Sequence, residues 1–198
     1  MVSTLIVFHS EGGCTAQLAE AVAAGAREVG EAMLWPILGQ DIVAGRYRHP
    51  GLQAALRRAD AVIFGCPTYM GGPSAQFKAL ADATSADWSD NQFADKLAAG
   101  FTCGGSLNGD QHNTLGYFSI LAAQLGMLWC GVDVPSGPER TDLNRLGSQL
   151  GATAHCPDGT VHPVDLATAR YLGTRVAHFA ARLAQPTVPL SLETEYSV

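Results

Sequence analysis

The residues best suited to bind a ligand lie near the N-terminus, in the segment Ser10–Thr15, which reads Ser-Glu-Gly-Gly-Cys-Thr. Its two glycines let the backbone turn sharply and approach a ligand closely. The helix predicted after it would begin with unpaired N–H groups and a partial positive charge. Hydroxyls at both ends of the segment add hydrogen-bond donors. The segment therefore predicts an anion site, most often used for phosphate. The alternative is a simple turn closed by a Ser or Thr helix cap.

Two common nucleotide-binding motifs do not fit this loop. A P-loop has a lysine directly after its last glycine, whereas Cys14 and Thr15 follow here. A dinucleotide fingerprint needs the pattern G-x-G-x-x-G after the first strand, and the chain has no such run there. Hydroxyls and backbone amides around two glycines instead suit a single terminal monophosphate.

Two further loops carry groups that could hold a flat ring. Pro67–Pro73 contains Tyr69, whose face could stack on a ring, and hydrogen-bond donors from Thr68 and two glycines. Thr102–Asp110 is rich in glycine, so its backbone could follow the edge of a ligand. In the alternative interpretation, Tyr69 covers the rim of the core and the later loop is a mobile turn before a helix capped by Asp110.

An alternation of strands and helices must position these loops. Apolar runs predict strands at residues 4–8, 32–38, 61–66, 96–103 and 127–132, and helical periodicity predicts helices at residues 16–29, 52–58, 74–83, 110–125 and 164–183. This alternation indicates an α/β fold with a parallel sheet covered on both faces. Ligands of such sheets bind beyond the carboxyl ends of the strands, where all three loops lie. Trp88, after the third helix, could stack on a ligand ring or anchor a loop.

Two segments fall outside this alternation. Residues 133–163 are rich in Gly, Pro, Asp and Ser, and a loop of that length is usually functional or disordered. Residues 186–198 contain two prolines and show no clear period, which predicts a flexible tail or an arm onto a neighbour. We therefore predict one domain over residues 1–185, followed by the tail.

The composition limits the kinds of partner. Charged residues make up only 15% of the 198-residue chain, and the formal net charge is −6. This acidic balance argues against nucleic acid as a partner. No apolar run is long enough for membrane insertion, and the first residues lack the features of a secretory signal. We expect a cytoplasmic protein whose apolar surface is partly covered by other subunits.

The cysteines predict free thiols. Five of them, at positions 14, 66, 103, 130 and 156, are odd in number and far apart, with no C-x-x-C pair. This usage is typical of reduced thiols in the cytosol. We interpret Cys14 as a small packing residue of the glycine loop rather than as a reactive thiol.

Short motifs spread along the chain together resemble the tryptophan repressor-binding protein family, the flavodoxin-like type IV NAD(P)H:quinone oxidoreductases. The resemblance extends from Leu5 to about Leu183. Its pieces are Ser10-x-x-Gly13, Phe64-Gly65-x-Pro67-Thr68-x-x-Gly71, Ser74-x-Gln76-x-Lys78-x-x-x-Asp82, Trp88, Lys96-Leu97-Ala98, Leu125-Gly126-Met127, Gly151-Ala152-Thr153, Asp158-Gly159 and Ala169-Arg170-Tyr171-x-Gly173. No single piece is decisive, but the ordered set is specific.

The resemblance implies a flavodoxin-like three-layer sandwich whose five-stranded parallel sheet has the order 2-1-3-4-5. It also implies bound FMN, electrons from NADH or NADPH, a quinone-like acceptor, and assembly as a homotetramer or homodimer. Trp88 is included because the family places an aromatic residue near a neighbour's flavin. No side chain is assigned as an acid or base, since the flavin carries the chemistry, and no metal site is predicted. The predicted cofactor-binding residues are Ser10, Gly12, Gly13, Cys14, Thr15, Pro67, Thr68, Tyr69, Met70, Gly71, Gly72, Trp88, Thr102, Cys103, Gly104 and Gly105.

The chain departs from the family pattern at several positions. Leu125 stands where a histidine commonly faces the flavin, Tyr69 where an arginine is frequent, and Gly72 where the loop commonly ends in asparagine. Two alternatives stay open. One is a flavodoxin-type electron carrier without its own nicotinamide-dependent activity, and the other is a flavin-free scaffold that keeps only the anion site.

Overall fold

Strands and helices alternate along the chain, as the sequence predicts. The computed structural model describes residues 1–137 and 142–184, so the predicted tail at 186–198 lies outside the described residues. In chain order the elements are β1 (Ser3–Phe8), α1 (Cys14–Ala26), β2 (Glu31–Pro36), a 3-10 turn (Gly39–Asp41), β3 (Ile42–Val43), β4 (Arg46–Tyr47), α2 (Pro50–Arg58), β5 (Ala61–Tyr69), β6 (Gly72–Pro73), α3 (Ala75–Ala83), α4 (Ser85–Trp88), β7 (Leu97–Gly104), α5 (Gln111–Gln124), β8 (Leu128–Trp129), β9 (Ala152–His155) and α6 (Pro163–Leu183).

A parallel sheet forms the centre of the fold. Its strand order is β2-β1-β5-β7-β8. This confirms the predicted order 2-1-3-4-5, because β5, β7 and β8 are the third, fourth and fifth strands of the parallel set. β1 pairs with β2 on one side and with β5 on the other, and β5 pairs in turn with β7.

Alternate side chains of each central strand enter two separate cores. Along β1, Ile6 packs in a core with α1 and α6, whereas Leu5 and Val7 pack in a core with α2, α3 and α5. Both faces of the sheet are therefore covered, which gives three layers. Burial on both faces is also why β1, β5 and β7 read as continuous apolar runs in the sequence.

Helices α1 and α6 pack closely because glycines lie at their contact. A side chain at Gly25 would overlap the carbonyl oxygen of Arg170, and one at Gly173 would overlap the carbonyl oxygen of Val22. The two backbones can approach only because these side chains are missing. An ion pair between Glu28 and Arg170 adds to the same contact. In this way α6 supports α1, and with it the loop that precedes α1.

Two short strands share the fifth position of the sheet, which differs from the prediction. β8 pairs with the start of β7, at Leu97–Ala98, and β9 pairs with its end, at Phe101–Gly104. The strand predicted at 127–132 is thus shorter, and part of the segment predicted as a loop at 133–163 is a strand. Ala152–His155 has little intrinsic strand propensity, so its pairing with β7 defines it.

The segment between β8 and β9 is anchored to α6 by buried polar contacts. Arg145 donates two hydrogen bonds to the Asp165 carboxylate, at 2.8 and 2.7 Å. The Asn144 backbone N–H donates to Thr168 Oγ1 at 2.8 Å, and its side-chain amide donates to the Val134 carbonyl at 2.7 Å. These contacts hold β9 beside β7 and bring the chain after β9 to the carboxyl end of the sheet.

Two other features complete the described chain. A small antiparallel hairpin, β3–β4, lies between β2 and α2, where the sequence predicts no element. No helix within residues 1–137 and 142–184 is both long and apolar enough to cross a bilayer.

Candidate functional site

The three loops singled out from the sequence meet at the carboxyl end of the sheet. They follow β1, β5 and β7, which are adjacent strands. The chain leaves β1 toward β2 but leaves β5 toward β7, so the topological switch point lies between β1 and β5 at this edge. Hydrogen bonds link neighbouring segments here; for example, the His9 N–H donates to the Gly65 carbonyl, and the Asn113 side chain donates to the Gly71 carbonyl.

The first loop ends in a cradle of backbone N–H groups. Gly13 precedes α1 with a φ of +87°, a left-handed conformation that glycine adopts without strain. No hydrogen bond within the described part of the chain uses the backbone N–H groups of residues 11–15. Ser10 Oγ accepts from the Ala16 N–H at 3.2 Å, which leaves the hydroxyl proton of Ser10 free to donate. The cradle thus offers donors and the positive end of a helix to an anion.

Thr15 turns its hydroxyl toward β7 and not toward this cradle, and its contact with a cofactor stays a prediction. The residue is only 2% exposed, and its Oγ1 lies 3.3 Å from Cys103 Sγ. The first turn of α1 packs over β7, so the side chain faces the sheet. Only the backbone N–H of Thr15 remains part of the cradle.

Cys14 and Cys156 form a disulfide, with Cα atoms 6.4 Å apart and a sequence separation of 142. The prediction of five reduced thiols is therefore wrong for this pair, and Cys14 is more than a packing residue. β9 brings Cys156 to this edge, which no local pattern reveals. Cys66, Cys103 and Cys130 are free and buried. Burial raises the pKa of Cys66 to about 12, so that thiol stays protonated.

The loop after β5 is a tight hairpin that exposes apolar side chains. Tyr69 pairs with Gly72 across a two-residue turn, in which Met70 and Gly71 have φ values of +48° and +77°. Hairpin turns of this kind favour glycine or asparagine, so Met70 is strained, and such strain is concentrated at functional sites. Met70 is fully exposed and Tyr69 is 46% exposed. Burial raises the pKa of Tyr69, and the Glu11 carboxylate raises it further by a smaller amount. The phenol of Tyr69 therefore stays protonated.

A buried layer supports the second and third loops from below. Thr68 Oγ1 lies 2.9 Å from the hydroxyl of Thr102, which is fully buried. Pro67 and Cys103 are buried as well. The side chains of Pro67, Thr102 and Cys103 thus lie buried beneath the loops, and their contact with a cofactor stays a prediction. The accessible part of the third loop begins at Gly104–Gly105.

His9 is a buried residue of this edge that belongs to none of the motifs read from the sequence. Its Nδ1 lies 2.9 Å from Ser74 Oγ, and the same oxygen accepts from the Phe77 N–H as the cap of α3. Burial lowers the pKa of His9, and the nearby Glu11 carboxylate opposes this effect. A neutral His9 therefore ties the first loop to the start of α3. No local signal distinguishes it from an exposed polar residue at a strand end.

Trp88 lies at the opposite end of the sheet from the three loops. α3 begins at the carboxyl end, after β5, and runs back, so α4 lies near the start of β7. The end of α2 also lies at this amino end of the sheet, because Lys96, directly before β7, donates to carbonyl oxygens there, including those of Leu56 and Ala59. Trp88 is 56% exposed. Its contact with a cofactor, in its own chain or in a neighbour, stays a prediction.

A cavity of about 400 Å³ lies on a different surface. The β3–β4 hairpin, the start of α2 and the end of α3 surround it, and its lining includes Arg46, Arg48 and Asp82. Arg46 and Asp82 form an ion pair at 3.5 Å. No residue lining this cavity belongs to the three loops.

Known proteins match the chain over most of its length. The sequence profile of the NADPH-dependent FMN reductase family matches residues 5–136. The flavodoxin FldP of Pseudomonas aeruginosa is 34% identical over 92% of this chain and 99% of its own. An NAD(P)H dehydrogenase (quinone) of Methanosarcina mazei is 34% identical over 93% of this chain and 99% of its own.

A solved structure agrees with these sequence relatives. The crystal structure of a WrbA-like flavodoxin from Agrobacterium tumefaciens is 42% identical, covers 92% of this chain and 99% of its own, and has a TM-score of 0.72. These matches confirm the resemblance carried by the motifs and the flavodoxin-like fold. The chain belongs to the NADPH-dependent FMN reductase family.

Proposed function

We propose that this protein binds FMN and transfers electrons from NADH or NADPH to a quinone-like acceptor in the cytoplasm. The N–H groups of residues 11–15, which have no hydrogen-bond partner among residues 1–137 and 142–184, carry the proposal, because such groups at a helix start bind phosphate. Relatives named NAD(P)H dehydrogenase (quinone) match over nearly their whole length. When bound, FMN would accept hydride from the nicotinamide and pass two electrons to the acceptor.

The residues at the loops fit the two ends of FMN. The N–H groups of residues 11–15 and the hydroxyl of Ser10 would hold the phosphate. The ring would lie between Tyr69 on the second loop and Gly104–Gly105 on the third. Thr68, in the buried layer below, fixes the separation of these two loops. We assign no acid or base: the chain binds the cofactor, orients its ring and limits the access of water.

We further propose that a second copy of the chain completes the site. Tyr69 and Met70 expose apolar surface beside the site, and exposed apolar patches mark interfaces. Charged residues are only 15% of the chain, against about 25% in typical domains. Trp88, remote from the loops of its own chain, would reach a neighbour's ring in a closed homodimer or homotetramer.

A one-electron carrier is the second candidate. The flavodoxin FldP is as similar to this chain as the dehydrogenase from Methanosarcina mazei, at 34% identity. A carrier would hold FMN in the same loops but would depend on a partner protein for its electrons. Direct reduction by NADH or NADPH therefore separates the two candidates.

An anaerobic reduction experiment tests the proposal. Protein loaded with FMN is mixed with NADH or NADPH, followed by benzoquinone. We expect the flavin absorbance to bleach with the nicotinamide, to recover with the quinone, and to support steady turnover. Uptake of FMN without reduction by either nicotinamide would favour the carrier. A protein that takes up no FMN would contradict both candidates.

Gly13→Val supplies a variant for the phosphate site. A β-branched side chain at a φ of +87° is strained, and it would project into the open space of the cradle. We expect loss of FMN binding with circular dichroism unchanged. FAD should bind more weakly than FMN, because a second phosphate needs a wider opening. Equal affinity for FMN and FAD would contradict the assignment of a terminal phosphate.

A further inference from the structure

The Cys14–Cys156 disulfide joins two segments that border the proposed phosphate site. Cys14 is the first residue of α1 and lies within the cradle. Cys156 directly follows β9, and its N–H donates to the Gly104 carbonyl at 2.9 Å. The bond therefore connects the first loop to a segment that also contacts the third loop.

Weaker contacts join the same two segments. Gln17 Nε2 donates to the Gly159 carbonyl at 2.8 Å, and Gln17 Oε1 accepts from the Val161 N–H at 3.3 Å. Hydrogen bonds near the surface contribute much less than a covalent link, because water competes for the same groups. Without the disulfide, the two segments would stay in contact but would move relative to each other. The disulfide therefore restrains the position of the first loop relative to the segment after β9 more firmly than these hydrogen bonds do.

The disulfide is also the sulfur group best placed for thiol exchange. Cys14 and Cys156 are half-buried, whereas Cys66, Cys103 and Cys130 are buried. Burial raises the pKa of each of those three thiols. Thiol exchange requires an accessible sulfur and an attacking thiolate. A thiol reductant can cleave only a disulfide, so it acts at Cys14–Cys156, and the three buried thiols are poor nucleophiles toward an external disulfide.

We propose that the Cys14–Cys156 disulfide is a redox switch that sets how tightly the protein holds FMN. The proposal rests on the assignment of the FMN phosphate to the first loop. With the disulfide intact, the cradle is already ordered, so little conformational entropy is lost on binding. With two free thiols, the ligand must order the glycine loop itself, and its affinity falls.

A dithiol reductant supplies the electrons that open the disulfide. In the cell this reductant is a protein dithiol, and in the test it is dithiothreitol. A thiolate of the reductant attacks one sulfur of the pair, the S–S bond breaks, and a mixed disulfide forms. The second thiol of the reductant resolves this mixed disulfide. The reductant leaves as a disulfide, and its two electrons and two protons remain as the thiols of Cys14 and Cys156. Exchange with an external disulfide reverses the change.

Flavin titrations of the two redox states test the switch. Peptide mass mapping first establishes the Cys14–Cys156 linkage in oxidised protein and its loss after dithiothreitol. FMN is then titrated into both forms by fluorescence quenching, with riboflavin, which lacks the phosphate, as the ligand control. We expect the Kd for FMN to rise about tenfold on reduction, and the Kd for riboflavin to stay unchanged.

Two variants separate the pair from the other thiols. Cys156→Ser cannot form the bond, so it should bind FMN like the reduced wild type and should not respond to dithiothreitol. Cys130→Ala is the matched control: it leaves the pair intact and should respond as the wild type does. If Cys156→Ser does not fold, the titrations of the wild type in its two states still decide.

The outcomes for the switch and for the proposed function differ. Equal FMN affinity in two verified redox states would overturn the switch and leave the proposed function standing. Absence of FMN binding in both states would overturn the proposed function, and the switch with it. Absence of the Cys14–Cys156 linkage from oxidised protein would also overturn the switch.

Discussion

His9 is held neutral at the edge of the sheet, so the fold should weaken in mild acid. Burial lowers the pKa of His9 below its ordinary value of 6.5, against a smaller opposing effect of Glu11. As the pH falls through 6.5, the unfolded chain takes up a proton that the folded chain does not. The unfolded state then binds more protons, so the free energy of unfolding decreases by at most about 1.4 kcal/mol per pH unit.

Urea unfolding at about pH 7.5 and about pH 5.5, on either side of the ordinary histidine pKa, measures this loss. His9→Gln serves as the comparison, because glutamine takes up no proton in this range but can still hydrogen-bond to Ser74. The wild type should lose more stability than His9→Gln at the lower pH. If the wild type and His9→Gln lost the same stability at the lower pH, groups other than His9 would cause the acid sensitivity.

Ser10 and Thr15 test which hydroxyls take part in binding. Ser10→Ala would remove the proposed donor to the phosphate and the acceptor for the Ala16 N–H, so FMN binding should become less favourable by about 1–3 kcal/mol. Thr15→Val loses only the contact with Cys103, so FMN affinity should stay unchanged. Calorimetric titration of FMN into both variants makes the comparison. A greater loss for Thr15→Val would place its hydroxyl at the ligand after all.

At single residues, the sequence located the loop but not the direction of each side chain. The pattern of hydroxyls and glycines put Ser10 and Gly13 before α1, where the structure has them, because few loop shapes join a buried strand to a helix so tightly. The inward turn of Thr15 depends on how α1 packs over β7, which no local pattern encodes. The partner of Cys14 lies 142 residues away, so only the complete fold identifies it.

Among the elements, α1 and α6 make a contact that a single methyl group should disturb. In Gly173→Ala the added Cβ would overlap the Val22 carbonyl oxygen, so the free energy of unfolding should fall by about 1–3 kcal/mol. Gly116→Ala, in α5, is the matched control, because nothing lies within 4 Å of its added Cβ. It should be neutral or stabilising by up to about 1 kcal/mol. Chemical denaturation measures both variants, and a neutral Gly173→Ala would contradict the close packing of α1 with α6.

Periodicity predicted most helices and strands to within a few residues, because burial on both faces makes β1, β5 and β7 uninterrupted apolar runs. It failed at the fifth position of the sheet. Ala152–His155 is short and weakly prone to form a strand, and it becomes one because the end of β7, Phe101–Gly104, offers free pairing groups. Strands that owe their existence to a distant neighbour lack a local signal.

For the whole molecule, the exposed apolar surface beside the site predicts association between copies of the chain. Light scattering at micromolar concentration should therefore give the mass of a dimer or a tetramer. Closed symmetric assemblies are the usual way to cover such surface. A monomer mass that persists with FMN bound would contradict this prediction.

Trp88→Ala tests whether a neighbouring copy completes the site. Because Trp88 is 56% exposed, its loss should leave the fold intact while lowering FMN affinity and turnover. Met33→Ala is the control, since Met33 is 51% exposed on β2, away from the three loops. If Trp88→Ala kept the FMN affinity and turnover of the wild type, Trp88 would be a surface residue with no part in the site.

The first loop is synthesised well before α6, the helix that supports α1. Its stabilisation therefore comes later than its synthesis. A ribosome adds about 5–20 residues per second, so the 142 residues from Cys14 to Cys156 take roughly 7–28 s to make. During that interval the loop exists without β9 and without the helix that supports α1. A nascent chain would therefore acquire its cofactor only after α6 has emerged, which places cofactor loading after the synthesis of Leu183.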